Sequence, residues 1–366
     1  MISRVFAVVA AAFFICIFTA CDIDLPRVSE ITDTRVLGTR IELPEDPSLV
    51  WPIPGESARI SWKVVFPALG ASTDTLESMF IVCTPAPVSV TTPLCLEFFS
   101  LMDKRKGAQQ DLSQLIGVER LTCADLEQAK RERPELLEAL PIDFLCVEGE
   151  PSYEIEIPED PAQDELLILG ILCDKGKAFV DITRTAFFGC ELKKGGQEIP
   201  VVFYVPLQDE DDPPNHHPRL DNAEFRINGR AWPQVLETDL LKYLLDGDSN
   251  DERFDCLRAV DERAVLGVAA ENQVFSLLIE YDSLEEYRVR GERQSEELTI
   301  AHYATSGKLN RDSSIIRSEW EVLGFDLEWE PPEEIPKNGL LTRVFFTVRD
   351  GRGGFDSAMR AFCVTR

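Results

Sequence analysis

The chain has 366 residues, 44% of them hydrophobic, enough for one large core or two medium ones. Its 65 acidic residues outnumber 37 basic ones and leave a formal charge of −28. A field of that sign repels phosphate backbones and anionic headgroups, which excludes nucleic acid as a partner and a basic patch as the route to a membrane. Solubility in a saline habitat and calcium binding are the two readings of the acidity.

At the N-terminus, Met1 and Arg4 precede an uninterrupted apolar stretch, Val5 to Phe18. As a helix it would span roughly 21 Å, short of the ~30 Å hydrocarbon core, so a cleaved signal is expected rather than a retained span. Phe18-Thr19-Ala20-Cys21 resembles the lipobox of bacterial lipoproteins, departing from it at Phe18, where Leu is usual. The resemblance implies cleavage before Cys21, a diacylglycerol on its sulfur and an acyl group such as palmitate on its amine. Residues 1–20 are then signal peptide and 21–33 a tether. Two or three buried acyl chains hold a protein to a bilayer for good. In enteric lipoproteins an acid at the position of Asp22 favours the inner membrane; that rule varies between bacterial groups, and the outer membrane is the expected address here.

Of ten cysteines, Cys16 leaves with the signal and Cys21 carries lipid. Eight remain: Cys83, Cys95, Cys123, Cys146, Cys173, Cys190, Cys256 and Cys363. An even number in an exported chain predicts disulfides, and of the roughly 105 pairings the sequential one is expected. Metal ligation is the rival reading, but no C-x-x-C pair exists.

Along the chain the hydrophobic pattern has period two. A turn signal, Pro52-Ile53-Pro54-Gly55, lies ahead of the second predicted strand. Ala58 to Val64 alternates apolar and polar residues, and so does Tyr153 to Ile157, whose glutamates would line an outer face. Glu165 to Cys173 and Val201 to Leu207 are continuous apolar runs suited to central strands. Between Leu101 and Pro141 the character changes: Thr122 and Asp125 predict a capping box for "CADLEQAKRER", and Pro134 a second helical turn through "ELLEAL". Residues 34–207 thus read as a β-sandwich with a helical insertion at about 101–145.

Gln208 to Leu220, "QDEDDPPNHHPRL", has four consecutive acids and no apolar residue before Leu220. It reads as a linker over 208–218. A second sandwich is expected over 219–366, with a short helix at Thr238 to Leu245 and strands near 274–281, 298–303, 325–329, 341–349 and 361–365. "FFTVRDGRGGFDSAMRAFCV" predicts a closing hairpin with positive φ at Gly351, Gly353 and Gly354.

The segments "TRVLGTRIELP", "IPGESARISWKV", "PPNHHPRL", "ELTIAHYATSGKL", "LEWEPPE" and "VRDGRGGFDSAMRAFCV" resemble those of bacterial surface lipoproteins built from two immunoglobulin-like or PKD-like modules. The resemblance covers most of the mature chain and is weakest at 101–145. It implies a mainly β fold of two Ig-like sandwiches in tandem, located at the cell envelope. No activity is assigned to those proteins, so it implies no catalytic residue.

Several chemical patterns dissolve on inspection. "GILCDKGK", Gly170 to Lys177, has five residues between its glycines where a phosphate loop has four, and Ala178 where that loop has a hydroxyl; a strand-ending hairpin turn is expected there. Gly247-Asp248-Ser249 lacks the partner Asp-x-x-His of an esterase. The three histidines are His216 and His217, in the linker, and His302, expected on a strand surface. Asp246, Asp248 and Asn250 match the first ligand positions of a calcium loop, but Asp251 replaces its glycine and Leu257 its glutamate, which leaves at most a looser calcium site. Asp209, Asp211 and Asp212 beside Glu210 offer a second calcium candidate, resembling the acid-rich junctions of cadherin-like modules.

Two functions follow from different classes. One is a non-catalytic, lipid-anchored spacer, scaffold or adhesin facing an envelope protein or a glycan, without a cofactor. The other is a glycan hydrolase built on Glu328 and Glu330 beside Trp329. Alternation turns those carboxylates outward and the indole inward, and favours the first.

Overall fold

The computed structural model describes residues 28–86, 95, 120–132, 144–181, 188–208, 213–245, 253–281, 284–289 and 292–366. They form a mainly β protein of two sandwiches. In the first half a three-stranded antiparallel sheet runs β1 (Arg35–Glu42), β2 (Ser57–Val65), β6 (Ser152–Glu156). The alternation read from the sequence holds: Ala58, Ile60 and Trp62 are buried while Arg59 and Lys63 are exposed, and Tyr153 and Ile155 are buried between exposed Glu154 and Glu156. On the outer face Arg59 meets Glu154 at 2.7 Å.

Facing it is a second sheet centred on β7 (Glu165–Asp181). On one side of β7 lie β3 (Leu76–Cys83) and β4 (Arg120–Thr122), with β5 (Phe144–Glu148) beyond β3. On its other side lies β8 (Phe188–Pro206). The apolar run in β7 is continuous because both its faces are covered. Leu166, Ile168 and Leu172 pack into the sandwich with Ile60, Trp62 and Phe80, while Ile171 and Cys173 pack with Met79, Leu121 and Leu126 under the helical insertion. Trp62 stacks on Phe80 with centroids 4.5 Å apart.

That insertion contains α1 (Cys123–Glu132). Its predicted capping box is present: the Thr122 amide donates to Asp125 Oδ2 at 2.9 Å and the Asp125 amide to Thr122 Oγ1 at 3.3 Å. The second expected helical turn, at 134–140, lies outside the described residues. Two expectations are corrected. "GILCDKGK" is no hairpin turn but lies inside β7 across a β-bulge, with Lys175 at φ 54° and the register against β8 shifting between Asp174 and Gly176. And Val201 to Leu207 is not central: among the described residues β8 pairs with β7 alone, its residues alternating between buried Val201 and Val205 and exposed Val202 and Tyr204. Every residue of the run is apolar, so composition hides this alternation.

In the second half, one five-stranded sheet runs β10 (Arg230–Ala231), β9 (Glu224–Ile227), β14 (Gln273–Leu278), β20 (Gly324–Glu330), β18 (Lys308–Leu309). The other runs β13 (Leu266–Ala269), β22 (Phe355–Thr365), β21 (Leu340–Arg349), β17 (Glu297–Ala304), β19 (Ser313–Arg317), with β13 parallel to β22. Phe225, Trp232, Phe275, Trp329, Phe346 and Phe362 fill the space between. Two short ribbons, β11 (Leu244–Leu245) with β12 (Arg253–Phe254) and β15 (Glu286–Val289) with β16 (Glu292–Ser295), project from this frame.

The sheet containing β21 and β22 is covered on its outer face as well. Part of the cover is α2 (Glu237–Leu241) and α3 (Cys256–Asp261), whose Leu240 and Ala259 pack on Ala361 and Cys363 together with Leu69 of the first half. The rest is the first half itself: Phe345 packs with Ile31, Leu37 and Val65. The two sandwiches are therefore fused through a third buried layer.

The eight cysteines form four disulfides in sequential order: Cys83–Cys95, Cys123–Cys146, Cys173–Cys190 and Cys256–Cys363. Four such bridges belong to an oxidising compartment, and hence to an exported protein. The last spans 107 positions and pins α3 to β22. Replacing both of its cysteines by alanine should cost roughly 4–5 kcal/mol on the chain-entropy model, read as a lower urea midpoint than that of the intact protein.

Candidate functional site at the junction of the two halves

The hairpin β21–β22 turns through Asp350-Gly351-Arg352-Gly353-Gly354, and this turn is driven into the first half. Asp350 Oδ1 accepts the amides of Arg352 and Gly354 at 2.7 and 2.8 Å, which folds the turn on its own carboxylate. Gly351 and Gly353 have φ of 77° and 100°, as expected. Gly354 does not; it is glycine because a Cβ would stand 2.0 Å from Asp350 Oδ2. On β1, a Cβ at Gly38 would likewise lie 2.0 Å from the Phe355 ring, so a missing side chain admits that aromatic.

Residues 213–218 of the segment expected to be a free linker are built into the same junction. Asn215 and His217 are buried. The Val50 amide donates to the Asn215 carbonyl at 2.9 Å, the His217 amide to the Ser48 carbonyl at 2.8 Å, and Asn215 Nδ2 to Asp350 Oδ2 at 3.1 Å. A segment without apolar side chains is ordered here because its polar groups find fixed partners. His217 Nδ1 accepts the Phe355 amide at 3.1 Å, so its Nε2 carries the proton and donates to the Ile41 carbonyl. Both nitrogens are thus used by the neutral ring. Burial, with Arg40 nearby, lowers its pKa to about 4.

Arg352 is the charged centre. Its guanidinium lies between Tyr287 and Trp51, 4.1 and 4.8 Å from the ring centroids, and its carbonyl accepts the Trp51 Nε1–H at 2.6 Å. Nη1 bridges Glu296 at 3.0 Å and Glu285 at 3.3 Å, and Glu285 also meets His216 Nδ1 at 2.5 Å. Glu296 is 3% exposed. Burial, with the charges of Asp350 and Glu285, raises its pKa to about 7 against the pull of Arg352. Further along the contact, buried Arg343 reaches Glu237 at 2.6 Å and the carbonyls of Phe66 and Pro67 at 2.7 and 2.8 Å. Arg349 donates to the Leu37 carbonyl at 2.7 Å. Beside this bond, a cleft of about 470 Å³ opens between β1, β8 and the hairpin turn.

The other residues singled out in the sequence are scattered. Cys21, Asp209, Asp211, Asp212, Asp246, Asp248 and Asn250 lie outside the described residues. Glu328 and Glu330 are exposed and Trp329 is fully buried, donating Nε1–H to the Ser306 carbonyl at 2.8 Å, so no aromatic platform forms beside those carboxylates. His302, expected on the surface, is fully buried: it shares the inner face of β17 with Leu298 and Ile300 and lies 4.9 Å from Phe325. Its burial lowers the pKa to about 4. Among the described residues no group of three or more His, Cys, Asp or Glu is placed to hold a metal ion, and no helix is long and apolar enough to cross a membrane. Glycine density marked the turn at 350–354, but no sequence signal pointed to Glu285, Glu296 or Arg352 as one cluster.

No protein-family model matches the chain, and no curated protein sequence does. Similar solved structures include the D00-D0 domain of intimin, at 6% identity and a TM-score of 0.19, covering 90% of this chain and all of that one. Native E. coli alpha-2-macroglobulin is similar at 8% identity and a TM-score of 0.20, covering 90% of this chain and 17% of that one. The C-terminal domain of the Streptococcus agalactiae AgI/II polypeptide BspA follows at 7% and 0.15, covering 89% and 99%. Scores this low carry no argument; the sandwich architecture rests on the chain's own sheets.

The buried titratable groups act in opposite directions. His217 has a folded pKa near 4 against 6.5, so its contribution is whole above pH 6.5 and is lost as pH falls through 4, on the order of 3 kcal/mol in all. His217→Gln keeps a donor and an acceptor but cannot titrate. Between pH 7 and 4, denaturation should show wild type losing about 3 kcal/mol more than this variant; equal losses would refute the assignment. Glu296 has a folded pKa near 7 against 4.5, so its contribution is whole below pH 4.5 and is lost as pH rises through 7. Glu296→Gln should therefore melt higher than wild type at pH 8 and together with it at pH 4.

Proposed function

We propose that this protein is a non-catalytic structural component of the bacterial cell envelope, anchored by lipid at Cys21 and holding a rigid β body away from the bilayer. The observation that carries this reading is the fusion of both sandwiches and residues 213–218 between them into one block, through His217, Arg343, Arg349 and the contact of Arg352 with Trp51. Four disulfides staple it internally, among them Cys123–Cys146 at the helical insertion and Cys256–Cys363 between α3 and β22. Such a body suits a scaffold or an adhesive module better than a flexible spacer, because its faces keep fixed mutual positions. An envelope protein or a glycan is the partner class, and the outer membrane the membrane that holds the lipid. Neither a catalytic group nor a cofactor enters the reading.

The test is fractionation of cells expressing wild type or Cys21→Ser behind the native signal, with intact mass on the membrane-bound form. Wild type should sediment with membranes at the mass of residues 21–366 plus a diacylglyceryl group and one amide-linked acyl chain. The variant should lose that adduct. Equal membrane retention and no lipid adduct on wild type would overturn the anchor.

A further inference from the structure

The cleft beside the junction differs from the rest of the molecule in charge. Its walls include Thr39 of β1, Val201 and Phe203 of β8, Phe355 of β22, and Trp62 at the edge of the first core. Among the described residues no carboxylate lines it, in a chain with 65 acids, and its one ionisable group is Arg349. Arg349 is exposed, donates to the Leu37 carbonyl, and makes no ion pair among the described residues. Trp62, 5% exposed, adds apolar ring surface to the same walls.

From these features we infer that the cleft is a binding site for a single-chain carboxylate, a small anionic amphiphile with an apolar body. The volume of about 470 Å³ lies within the roughly 300–1,000 Å³ of small-molecule sites. Val201, Phe203 and Phe355 take the apolar body and Arg349 the head. A single guanidinium matches one carboxylate in charge and in its forked geometry. The carbonyls of Leu37 and Ile41 on the edge of β1 are already occupied by Arg349 and His217, which leaves too short a free edge there for an added peptide strand. The site belongs to the fold alone and does not depend on the envelope role proposed above.

The experiment uses the chain from residue 21 onward, exported with Cys21→Ser so that it carries no acyl group of its own, and the fluorescent probe dansylundecanoic acid. Saturable one-to-one binding is expected, with the probe displaced by decanoate at least tenfold better than by decanol. Arg349→Leu should weaken binding tenfold or more. Since that change also removes a bond to β1, Arg349→Gln supplies the second variant: it keeps a donor for the Leu37 carbonyl and loses the charge. It should weaken displacement by decanoate tenfold or more and leave that by decanol unchanged, with the thermal midpoint at the wild-type value. Non-saturable binding, equal displacement by decanoate and decanol, or unchanged affinity for decanoate in folded Arg349→Gln would each overturn the site.

Discussion

His217 accepts the amide of Phe355 on one ring nitrogen and donates to the carbonyl of Ile41 with the other, tying β22 of the second sandwich to β1 of the first. Only the neutral imidazole with its proton on Nε2 can do both. The arrangement around it follows from that demand. Phe355 must lie flat on β1, so β1 carries Gly38 opposite its ring. The turn before Phe355 must be tight, so Asp350 gathers the amides of Arg352 and Gly354. That turn delivers the Arg352 guanidinium to Glu285 and Glu296.

A junction made this way is polar at its rim and apolar behind it. Phe345, Leu37, Val65 and Ile31 exclude water from one part, while arginines satisfy the carbonyls that a strand edge would otherwise leave bare. Arg343 reaches Phe66 and Pro67, and Arg349 reaches Leu37. This covers edges that would otherwise template aggregation. It also shows how an acidic chain holds its halves together: of the two arginines buried among the described residues, Arg343 and Arg360, the first lies on this contact. Glu296 and His217 press the pH optimum from opposite sides, one favouring its neutral acid and the other its neutral base.

The functional reading follows from mechanics rather than chemistry. Glu328 and Glu330 point to solvent around a buried Trp329, the ordinary alternation of a sandwich strand. His302 is enclosed among aromatic rings of the core. The polar groups drawn together by the fold serve instead to lock two sandwiches in one orientation. A body of this construction can present distant contact points at fixed separation.

Period two in Ala58 to Val64 and Tyr153 to Ile157, the Thr122–Asp125 box and the positive φ of Gly351 and Gly353 were legible because each expresses a local rule of backbone geometry. The disulfide order was reached from number and spacing alone. What the sequence could not show is what lies against each element. Leu166 to Cys173 and Val201 to Leu207 look alike as strings, yet one is central and the other an edge. His302 became buried because its parity on β17 turned it inward. Gln208 to Leu220 reads as solvated chain by composition, and Asn215 and His217 are nevertheless buried in it. Hydrophobicity is a property of one residue, whereas a buried polar group is stable only if a partner arrives from elsewhere. For His217 the partners are Ile41 and Phe355, separated from it by 176 and 138 positions, and only the folded chain brings them there.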